Sequence, residues 1–501
     1  MRNRARTCRI GLWLLALACM PSVCAAGIRY DVVDLGSGQA TAINKHGEVV
    51  GCVSGWNWSD AWYWHPSTGR EVIDDPSHKD RSATDINDAG IIVGLGPFVY
   101  DVRAREFLGH LGSGFEGINR HNVAVGREYY RTRPNGIEDY KSIAYDIDTG
   151  IKTYIYTYDS HAYAVNDLTV AVGGRDGDRY GFVNIAGVAS ALVGFPQGDN
   201  DSRCCAYDIN DLWPTSSRGM IVGRARYTGD AWDQVGPTWW DSAGNPHMIG
   251  RLGTGTNGQA HAVNNAGQIV GWSHTGGTGG QTAILYEGGA LTALNSLING
   301  GSTMTVAYDI NDRGQIVGYG PAGAMLLNPV YFADGNFQAG DLGANWKVAG
   351  DGTAALTDLG DGNLAAVLTA GSPVTISQDV ATPAAVFVLS FDYQFLSTDP
   401  SCTLIVSLDN PLLAGPLPLF QDMLAAPPTL AADFTTYVVG IEEPGLRGLD
   451  PATLAFTYDG PSGTQCLLDN VTITQVPEPA SVALVLAGVA LVAGRPHRRR
   501  R

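Results

Sequence analysis

The stretch Ala307–Gly320 reads AYDINDRGQIVGYG, and variants of it recur along the first two-thirds of the 501-residue chain. Isoleucine or valine precedes an asparagine in each of seven copies, and the asparagines stand at positions 44, 87, 119, 166, 210, 264 and 311. The intervals run from 32 to 54 residues around a period of roughly 45. Self-similarity at this period is typical of solenoids, arrays and propellers.

Each copy has the chemistry of a β-hairpin. The asparagine side chain can bond the backbone two residues on and so open a turn. A glycine three residues later, such as Gly314, suits the left-handed position of a bulged turn. Asn122 replaces this glycine in the third copy, a mild change because asparagine tolerates that conformation. Thr169 replaces it in the fourth copy, where we expect a different turn, and six extra residues lengthen the fifth turn.

Two further strand-like runs follow each hairpin. One is apolar and aromatic, as in Ala61–Trp64, and the other often ends in Leu-Gly, as in Phe107–Gly109. Four short strands per period are typical of a propeller blade. The chain opens with a Leu-Gly strand, Tyr30–Gly36, whereas the last copy lacks one. We therefore predict an all-β fold in which 27–330 is a seven-bladed β-propeller and the opening strand completes the last blade. A six- or eight-bladed ring and an open array are the alternatives.

The repeats resemble the HAF family of extracellular repeats, whose units carry the same INxxGxxVG core. This resemblance spans about 300 residues of the chain. It implies a surface protein of unknown biochemical role, and it carries no catalytic residues to transfer.

Residues 331–475 lack the repeat and form a second module. They contain about eight strand-like runs, and alternation such as that in Val386–Tyr393 marks half-buried strands. We predict a jelly-roll β-sandwich. Short segments at its start, middle and end resemble carbohydrate-binding-module-like sandwiches, in which acidic residues near the first and last strands can hold a structural calcium. Asp334 and Asp469 occupy such places, but calcium takes about 6–8 oxygen ligands, so solvated turn residues are the alternative. No other cofactor or metal is predicted.

The composition limits the class of partner. With 64 glycines, 25 prolines and 16% charged residues, the chain suits short strands and tight turns. Nine of its 32 basic residues are arginines in the two ends, 1–26 and 495–501, which leaves 23 basic against 49 acidic residues and a formal charge of −26. Such a body repels phosphate backbones, which argues against a nucleic-acid partner.

Residues 1–26 have the three parts of a secretory signal peptide. A basic start precedes the apolar run Ile10–Met20, and small residues follow it. This order predicts cleavage between Ala26 and Gly27 and export of the protein. A lipoprotein anchor at either cysteine of the segment is the weaker alternative, because neither has a leucine three residues before it.

The segment 476–501 has a three-part order of its own. Pro477, Glu478 and Pro479 precede the apolar run Ala480–Gly494, which is shorter than the roughly 20 residues of a comfortable span, and an arginine cluster follows. A plain C-terminal anchor is one interpretation. The order resembles the PEP-CTERM sorting signal, also known as the ice-binding protein C-terminal domain, of Gram-negative, polysaccharide-producing bacteria. That resemblance implies a short transmembrane helix, transient anchoring in the inner membrane, recognition by an exosortase-type enzyme at the Pro-Glu-Pro motif, and release toward the cell surface.

Five cysteines remain after the signal peptide. In an oxidising compartment we expect Cys402 and Cys466 to form a disulfide inside the sandwich. Cys204 and Cys205 cannot easily pair with each other, so one of them is expected to reach Cys52, which leaves one thiol over.

Several tryptophans are candidates for stacking on sugar rings. Trp56 and Trp58 are the better ones because the hairpin pattern places them in a loop, whereas alternation in Ala61–Trp64 favours a core role there. The sequence contains no HExxH, GxSxG or P-loop motif.

These observations favour an exported cell-surface or extracellular-matrix protein with a non-catalytic binding or structural role, associated with exopolysaccharide. The alternative is a secreted glycan lyase or hydrolase whose carboxylates gather at the propeller mouth. A purely structural spacer is the third hypothesis.

Overall fold

The computed structural model describes residues 28–475 apart from 56–57, 75–80, 97, 110–113, 134–137, 157–158, 176–178, 196–202, 232, 277–279, 332–336, 339–341, 360–363, 372, 381, 383–386, 398, 410–415, 424–434 and 442–451. The signal segment 1–26 and the sorting segment 476–501 therefore lie outside the described residues. Within the described part, no helix is both long enough and apolar enough to cross a bilayer.

The described part of 28–330 forms seven four-stranded antiparallel sheets. The opening strand is β1 (Arg29–Gly36). The first sheet contains β2 (Gln39–Ile43), β3 (Val49–Gly55), β4 (Trp58–His65) and β5 (Gly69–Val72). The second contains β6 (Ser82–Ile86), β7 (Ile91–Leu95), β8 (Phe98–Asp101) and β9 (Glu106–Gly109). The third contains β10 (Gly114–Ile118), β11 (Val123–Thr132), β12 (Glu138–Asp146) and β13 (Ile151–Tyr156).

The next three sheets repeat this plan. The fourth contains β14 (Ser160–Val165), β15 (Ala171–Arg175), β16 (Tyr180–Ile185) and β17 (Val188–Ala191). The fifth contains β18 (Cys205–Ile209), β19 (Ile221–Ala225), β20 (Gly236–Trp240) and β21 (Pro246–Met248). The sixth contains β22 (Gly258–Val263), β23 (Ile269–His274), β24 (Gln281–Glu287) and β25 (Ala290–Ala293), and two 3-10 turns follow at Leu294–Ser296 and Asn299–Gly301.

The seventh sheet joins the two ends of this region. Its strands are β26 (Val306–Ile310), β27 (Ile316–Gly320) and β28 (Gly323–Val330), and β1 pairs antiparallel with β28 as the fourth. The prediction that the opening strand completes the last unit is thus confirmed. This pairing leaves no unpaired outer edge on β28, which would otherwise offer a template for another chain.

The repeated asparagine performs two tasks in every unit. Within the turn, the side-chain oxygen of Asn311 accepts the backbone N–H groups of Arg313 at 3.0 Å and Gln315 at 3.1 Å. Across to the next sheet, each side-chain nitrogen donates to the backbone carbonyl of the next repeated asparagine. The bond from Asn311 to the Asn44 carbonyl, at 3.0 Å, returns this series to its start.

The fourth turn corrects one expectation. Thr169 has φ +59° and donates its N–H to the Asn166 carbonyl at 2.9 Å, as Gly314, with φ +75°, donates to Asn311 at 3.0 Å. The turn therefore does not differ, although a β-branched residue is strained in this conformation. The side-chain oxygen of Asn166 also accepts N–H groups two and four residues on, and these bonds hold the turn.

The first strand of every unit carries a bulge that the sequence pattern does not show. The pairing register shifts at the same place in all seven, three residues before the asparagine, at Thr41, Thr84, Glu116, Tyr163, Tyr207, His261 and Tyr308. The last glycine of the repeat lies opposite this bulge on the paired strand. A Cβ at Gly318 would lie 2.1 Å from the Val306 carbonyl oxygen. Only glycine fits that approach, which explains the final residue of the INxxGxxVG core.

Hydrophobic clusters lie between successive sheets. Seven such clusters among the described residues each draw on two neighbouring sheets. One joins the seventh sheet to the first through Val317, Leu326, Val49 and Trp62. Trp62 and Trp240 are fully buried, which confirms the core role predicted for the aromatic strands.

Residues 331–475 form two five-stranded antiparallel sheets. One has the order β29-β32-β37-β34-β35 and the other β30-β31-β38-β33-β36. Their strands are β29 (Lys347–Gly350), β30 (Thr353–Asp358), β31 (Leu364–Thr369), β32 (Val374–Val380), β33 (Phe387–Phe395), β34 (Thr403–Asp409), β35 (Leu417–Met423), β36 (Thr435–Ile441), β37 (Ala452–Asp459) and β38 (Gln465–Gln475), with a short helix α1 (Leu342–Asn345).

The two sheets share one core. Alternate residues of β33 and β37 are buried, and Phe391 packs edge-on against Phe456 with ring centroids 5.2 Å apart. The predicted β-sandwich is confirmed, with ten strands rather than about eight. The polar residue Gln475 at the end of β38 connects the sandwich to the seventh sheet: its side chain donates to the Asp312 carbonyl at 3.0 Å and accepts from the Tyr331 hydroxyl at 3.2 Å.

Candidate functional site

The asparagine turns of all seven sheets surround one pocket of about 220 Å³. Its walls are the C-terminal ends of the first strand of each unit and the turn residues that follow. We call this the turn-side pocket. It is lined by Asn44, Asn87, Asn119, Asn166, Asn210, Asn264 and Asn311, together with their neighbours.

Three aspartates converge on the turn-side pocket from the second, fifth and seventh sheets. Asp85 accepts the N–H of Ile118, in the next sheet, at 2.7 Å, and Asp309 accepts the N–H of Ile43 at 2.8 Å. Asp208 makes the same bond to the next sheet at 2.8 Å. The other oxygen of Asp85 and Asp309 accepts the N–H of the following residue at 2.7 Å. These carboxylates therefore join neighbouring sheets.

Burial shifts the acidity of all three groups. Loss of hydration, reinforced by the negative charge of Asp309, raises the pKa of Asp85 to about 7 from an ordinary value of 3.8. Burial likewise raises the pKa of Asp309 to about 6, and that of Asp208 well above its usual range. The amide donors act in the opposite direction because they favour the ionised form.

A second set of acidic residues stands one position after the asparagines. Asp167 accepts the N–H of Arg120 at 3.1 Å and Asp312 accepts that of Asn265 at 2.8 Å, each from the preceding sheet. Asp88 does the same for Lys45, whose ammonium also pairs with it at 2.8 Å. The acidic residues of the DIND motif thus serve as acceptors between sheets, and the described residues contain no cluster of His, Cys, Asp or Glu able to hold a metal ion.

Four of the seven bulge positions carry a tyrosine or histidine ring: Tyr163, Tyr207, His261 and Tyr308. The rings of Tyr163 and Tyr207 lie 5.3 Å apart, those of Tyr207 and His261 6.0 Å, and those of His261 and Tyr308 5.3 Å in a stacked arrangement. Burial lowers the pKa of His261 to about 4, so the imidazole is neutral at pH 7. The bulge turns these side chains to one side, and no sequence periodicity signals it.

A second pocket, of about 310 Å³, lies where the first strands begin, at the opposite end from the asparagine turns. We call it the mouth pocket. Trp272 is half-buried there, 5.1 Å from the His274 ring. Apart from Val235, the remaining lining residues carry planar hydrogen-bonding groups or charge: Arg179, Arg203, Arg224, Asp233, Asn257, Gln259 and Gln281. Sequence reasoning missed this set because its members come from three different sheets.

The structure does not test the predicted sugar-stacking residues. Trp56 lies outside the described residues, and Trp58 is the first residue of β4, paired with Gly55, rather than a loop residue. Of the two calcium candidates, Asp334 lies outside the described residues and Asp469 is 2% exposed on β38. The structure does not test that site.

The five cysteines that the structure describes, Cys52, Cys204, Cys205, Cys402 and Cys466, are all buried. No disulfide joins Cys402 to Cys466, and the Tyr458 hydroxyl donates to the Cys402 sulfur at 3.3 Å, so their pairing stays a prediction. Cys52 lies on the first sheet whereas Cys204 and Cys205 lie at the fifth, so the structure does not bring these three together.

The predicted sorting and cleavage residues, Pro477, Glu478, Pro479, Ala26 and Gly27, all lie outside the described residues. Their roles stay predictions from the sequence.

Comparison with known proteins finds relatives by structure only. No family model matches the chain, and no curated protein matches it significantly. Among solved structures it is similar to the carbohydrate-binding module TmCBM61 in complex with β-1,4-galactotriose, at 13% identity and a TM-score of 0.24, covering 29% of this chain and 98% of that one. It is also similar to a CBM22 xylan-binding domain at 9% identity and a TM-score of 0.24, covering 30% and 98%. A third is the CBM22-2 xylan-binding domain from Paenibacillus barcinonensis Xyn10C, at 11% identity and a TM-score of 0.23, covering 28% and 98%.

Proposed function

We propose that the seven sheets are the blades of a closed β-propeller and that the protein is an exported, non-catalytic polysaccharide-binding protein of the cell surface. Two observations support closure. The asparagine bonds return from Asn311 to Asn44, and a hydrophobic cluster joins the seventh sheet to the first. A ring of similar units places the start of every first strand on one face, and the mouth pocket lies on this face between the fourth, fifth and sixth sheets.

The observation that carries the binding function is the mouth pocket. A half-buried indole beside several planar polar side chains suits a sugar, because the apolar face of a pyranose packs on the ring while its hydroxyls take hydrogen bonds. The side chain of Asn257 is held in position at this pocket because its oxygen accepts the Val235 N–H at 3.0 Å. The propeller thus supplies a rigid, concave, polar-aromatic site.

The turn-side pocket supports a non-catalytic role. Convergent aspartates with raised pKa values are what a glycan hydrolase or lyase would need, and this is the specific observation in favour of the enzymatic alternative. Both oxygens of Asp85 and of Asp309, however, accept backbone amides. We therefore assign these carboxylates to blade-to-blade bonding rather than to proton transfer.

The two ends of the chain support the location that we propose. The signal segment 1–26 directs export, and the Pro477-Glu478-Pro479 order directs recognition by an exosortase-type enzyme while the apolar run holds the protein at the inner membrane. Processing then releases the propeller and sandwich to the cell surface or matrix.

The binding test compares two tryptophans in the full chain. Glycan-array screening and affinity electrophoresis should identify a polysaccharide that retards the native protein, and Trp272→Ala should abolish the retardation. Trp239→Ala is the matched control, since Trp239 is also half-buried and stacks on a histidine, His247, at 4.0 Å, but lies outside the mouth pocket. Retention by Trp272→Ala, or the absence of any retarding glycan, would contradict the proposal.

A reducing-end assay on the polysaccharide that binds separates the two functions. We expect no new reducing ends. Release of reducing ends by the native protein, lost in Asp85→Asn, would establish the enzymatic alternative instead.

A further inference from the structure

The third sheet carries the longest central hairpin among the described strands of the seven sheets. Its strands β11 and β12 have ten and nine residues, whereas the corresponding β7 and β8 of the second sheet have five and four. Tyrosines emerge on the extension: Tyr129 is 52% exposed and Tyr130 51%, and Tyr154 of the adjoining β13 is 47% exposed. An aromatic group of this size on the surface of an otherwise acidic protein marks a candidate contact surface.

One lysine lies between two of these rings. The Lys141 ammonium is 3.7 Å from the ring centroid of Tyr130 and 5.2 Å from that of Tyr154. Tyr154 is held in position because its hydroxyl donates to Glu128 at 2.9 Å. Aromatic faces attract a cation without neutralising it, so the ammonium keeps its full charge and a restricted position.

Lys141 differs from the other cations nearby. Lys152 pairs with Glu128 at 2.6 Å, and Arg131 pairs with Asp139 at 2.9 Å. Lys141, by contrast, has no carboxylate within 4.0 Å among the residues that the structure describes. An incoming anion therefore need not displace a carboxylate of the protein in order to reach this ammonium.

We propose that Tyr130, Lys141 and Tyr154 form a binding site for acidic polysaccharide, in which a uronate carboxylate pairs with the ammonium and the pyranose ring packs along the tyrosines. The aromatic surface favours a carbohydrate over a small inorganic anion, because a bare anion would gain nothing from it. Glu128 stands directly opposite Lys141 on the paired strand, but its carboxylate already accepts hydrogen bonds from the Lys152 ammonium at 2.6 Å and the Tyr154 hydroxyl at 2.9 Å. Charges further than a Debye length of about 8 Å are largely screened at physiological ionic strength.

This site is separate from the mouth pocket and does not depend on it. The mouth pocket is lined by the fourth, fifth and sixth sheets, and none of the three residues above belongs to it. Two sites on one rigid body would give a long polymer a second point of attachment, which raises its apparent affinity without new contacts at either site.

The test measures binding of the full chain to polygalacturonate and to its methyl ester, which share one backbone and differ in charge. We expect the native protein to bind the acid form, and Lys141→Met to weaken that binding by about fivefold, the loss typical of an exposed charge pair. Lys141→Arg should restore it. Lys45→Met is the charge control because Lys45 lies at the asparagine turns, paired with Asp88.

A second pair of variants tests the aromatic part. Tyr130→Ala should weaken binding, whereas Tyr129→Ala should not, because Tyr129 is equally exposed but its hydroxyl bonds Thr132 at 2.8 Å and its ring meets Tyr140. Equal affinity for acid and ester, an unchanged Lys141→Met variant, or binding of poly-glutamate in place of polygalacturonate would overturn the inference. If Trp272→Ala loses binding to polygalacturonate while the Lys141 and Tyr130 variants keep it, the polymer binds at the mouth pocket and the proposed tyrosine-lysine site is rejected.

Discussion

Replacement of one repeated asparagine tests the hydrogen bonds that its side-chain nitrogen donates, including the bond to the next sheet. Asn311 makes four side-chain hydrogen bonds: its oxygen accepts the N–H groups of Arg313 and Gln315 within the turn, and its nitrogen donates to the Gln315 side chain at 2.8 Å and to the Asn44 carbonyl at 3.0 Å. Asn311→Asp keeps the two acceptor bonds and removes both donor bonds. Asn311→Ala removes all four.

The expected magnitudes follow from these counts. A net contribution of about 1 kcal/mol per buried hydrogen bond gives a loss of about 2 kcal/mol of unfolding free energy for Asn311→Asp. The aspartate adds to this loss because its oxygen faces the Asn44 carbonyl where a donor stood. Asn311→Ala should cost about 4 kcal/mol, a large part of the roughly 5–15 kcal/mol typical of a folded domain.

Urea unfolding followed by tryptophan fluorescence measures these losses, since Trp62 of the first sheet and Trp240 of the fifth sheet are buried in the folded protein. Asn245→Ala is the control, because Asn245 is an exposed turn asparagine whose side chain bonds Asp241 within its own turn. If Asn311→Asp unfolds with the native free energy, the asparagine acts only in its turn, and the chain of bonds between sheets contributes nothing to stability.

Three further predictions address other parts of the molecule. Because the pKa of Asp85 is raised in the fold to about 7, the contribution of Asp85 to stability should be fully present below about pH 4 and should be lost as the pH rises from 4 to 7; Asp85→Asn should change the slope of the thermal midpoint against pH in that window, and an unchanged slope would contradict this. Deletion of the opening strand Arg29–Gly36 should expose the edge of β28 and produce larger species than the native chain forms in size-exclusion chromatography, whereas an unchanged elution volume would show that this edge needs no cover. Peptide mapping of the exported protein without reductant should find Cys402 linked to Cys466, and two free thiols would refute the disulfide.

Local patterns account for most of what the sequence could predict about the fold. The Asn-x-x-Gly spacing specifies a turn by itself, and alternating residues such as those of β33 specify half-buried strands. The repeated sheets and the sandwich could therefore both be predicted from the sequence. The place of β1 could be predicted because it precedes the first repeat without a partner strand, whereas the last repeat lacks its fourth strand. The turn at Thr169 was predicted wrongly, since bonds from the Asn166 side chain outweigh the preference of the residue itself.

The candidate sites were harder to predict from the sequence. Trp272 looks like any other strand tryptophan in the sequence, and only the arrangement of three sheets gives it polar neighbours from elsewhere in the chain. The position of Lys141 between Tyr130 and Tyr154 likewise depends on the register of three strands, which no motif encodes.

The amino-acid sequence alone determined the repeated unit, the number of its copies and the presence of a second module after them, because each rests on residues close together in the chain. The export and sorting signals at the two ends stay predictions from the sequence. The tertiary structure decided which side chains meet. It assigned the asparagine amide to the next sheet, gave the aspartates their shared pocket and placed aromatic rings at the bulges. Those contacts join residues some 30 to 270 positions apart, and a contact at that separation is fixed by packing and strand register rather than by local preference.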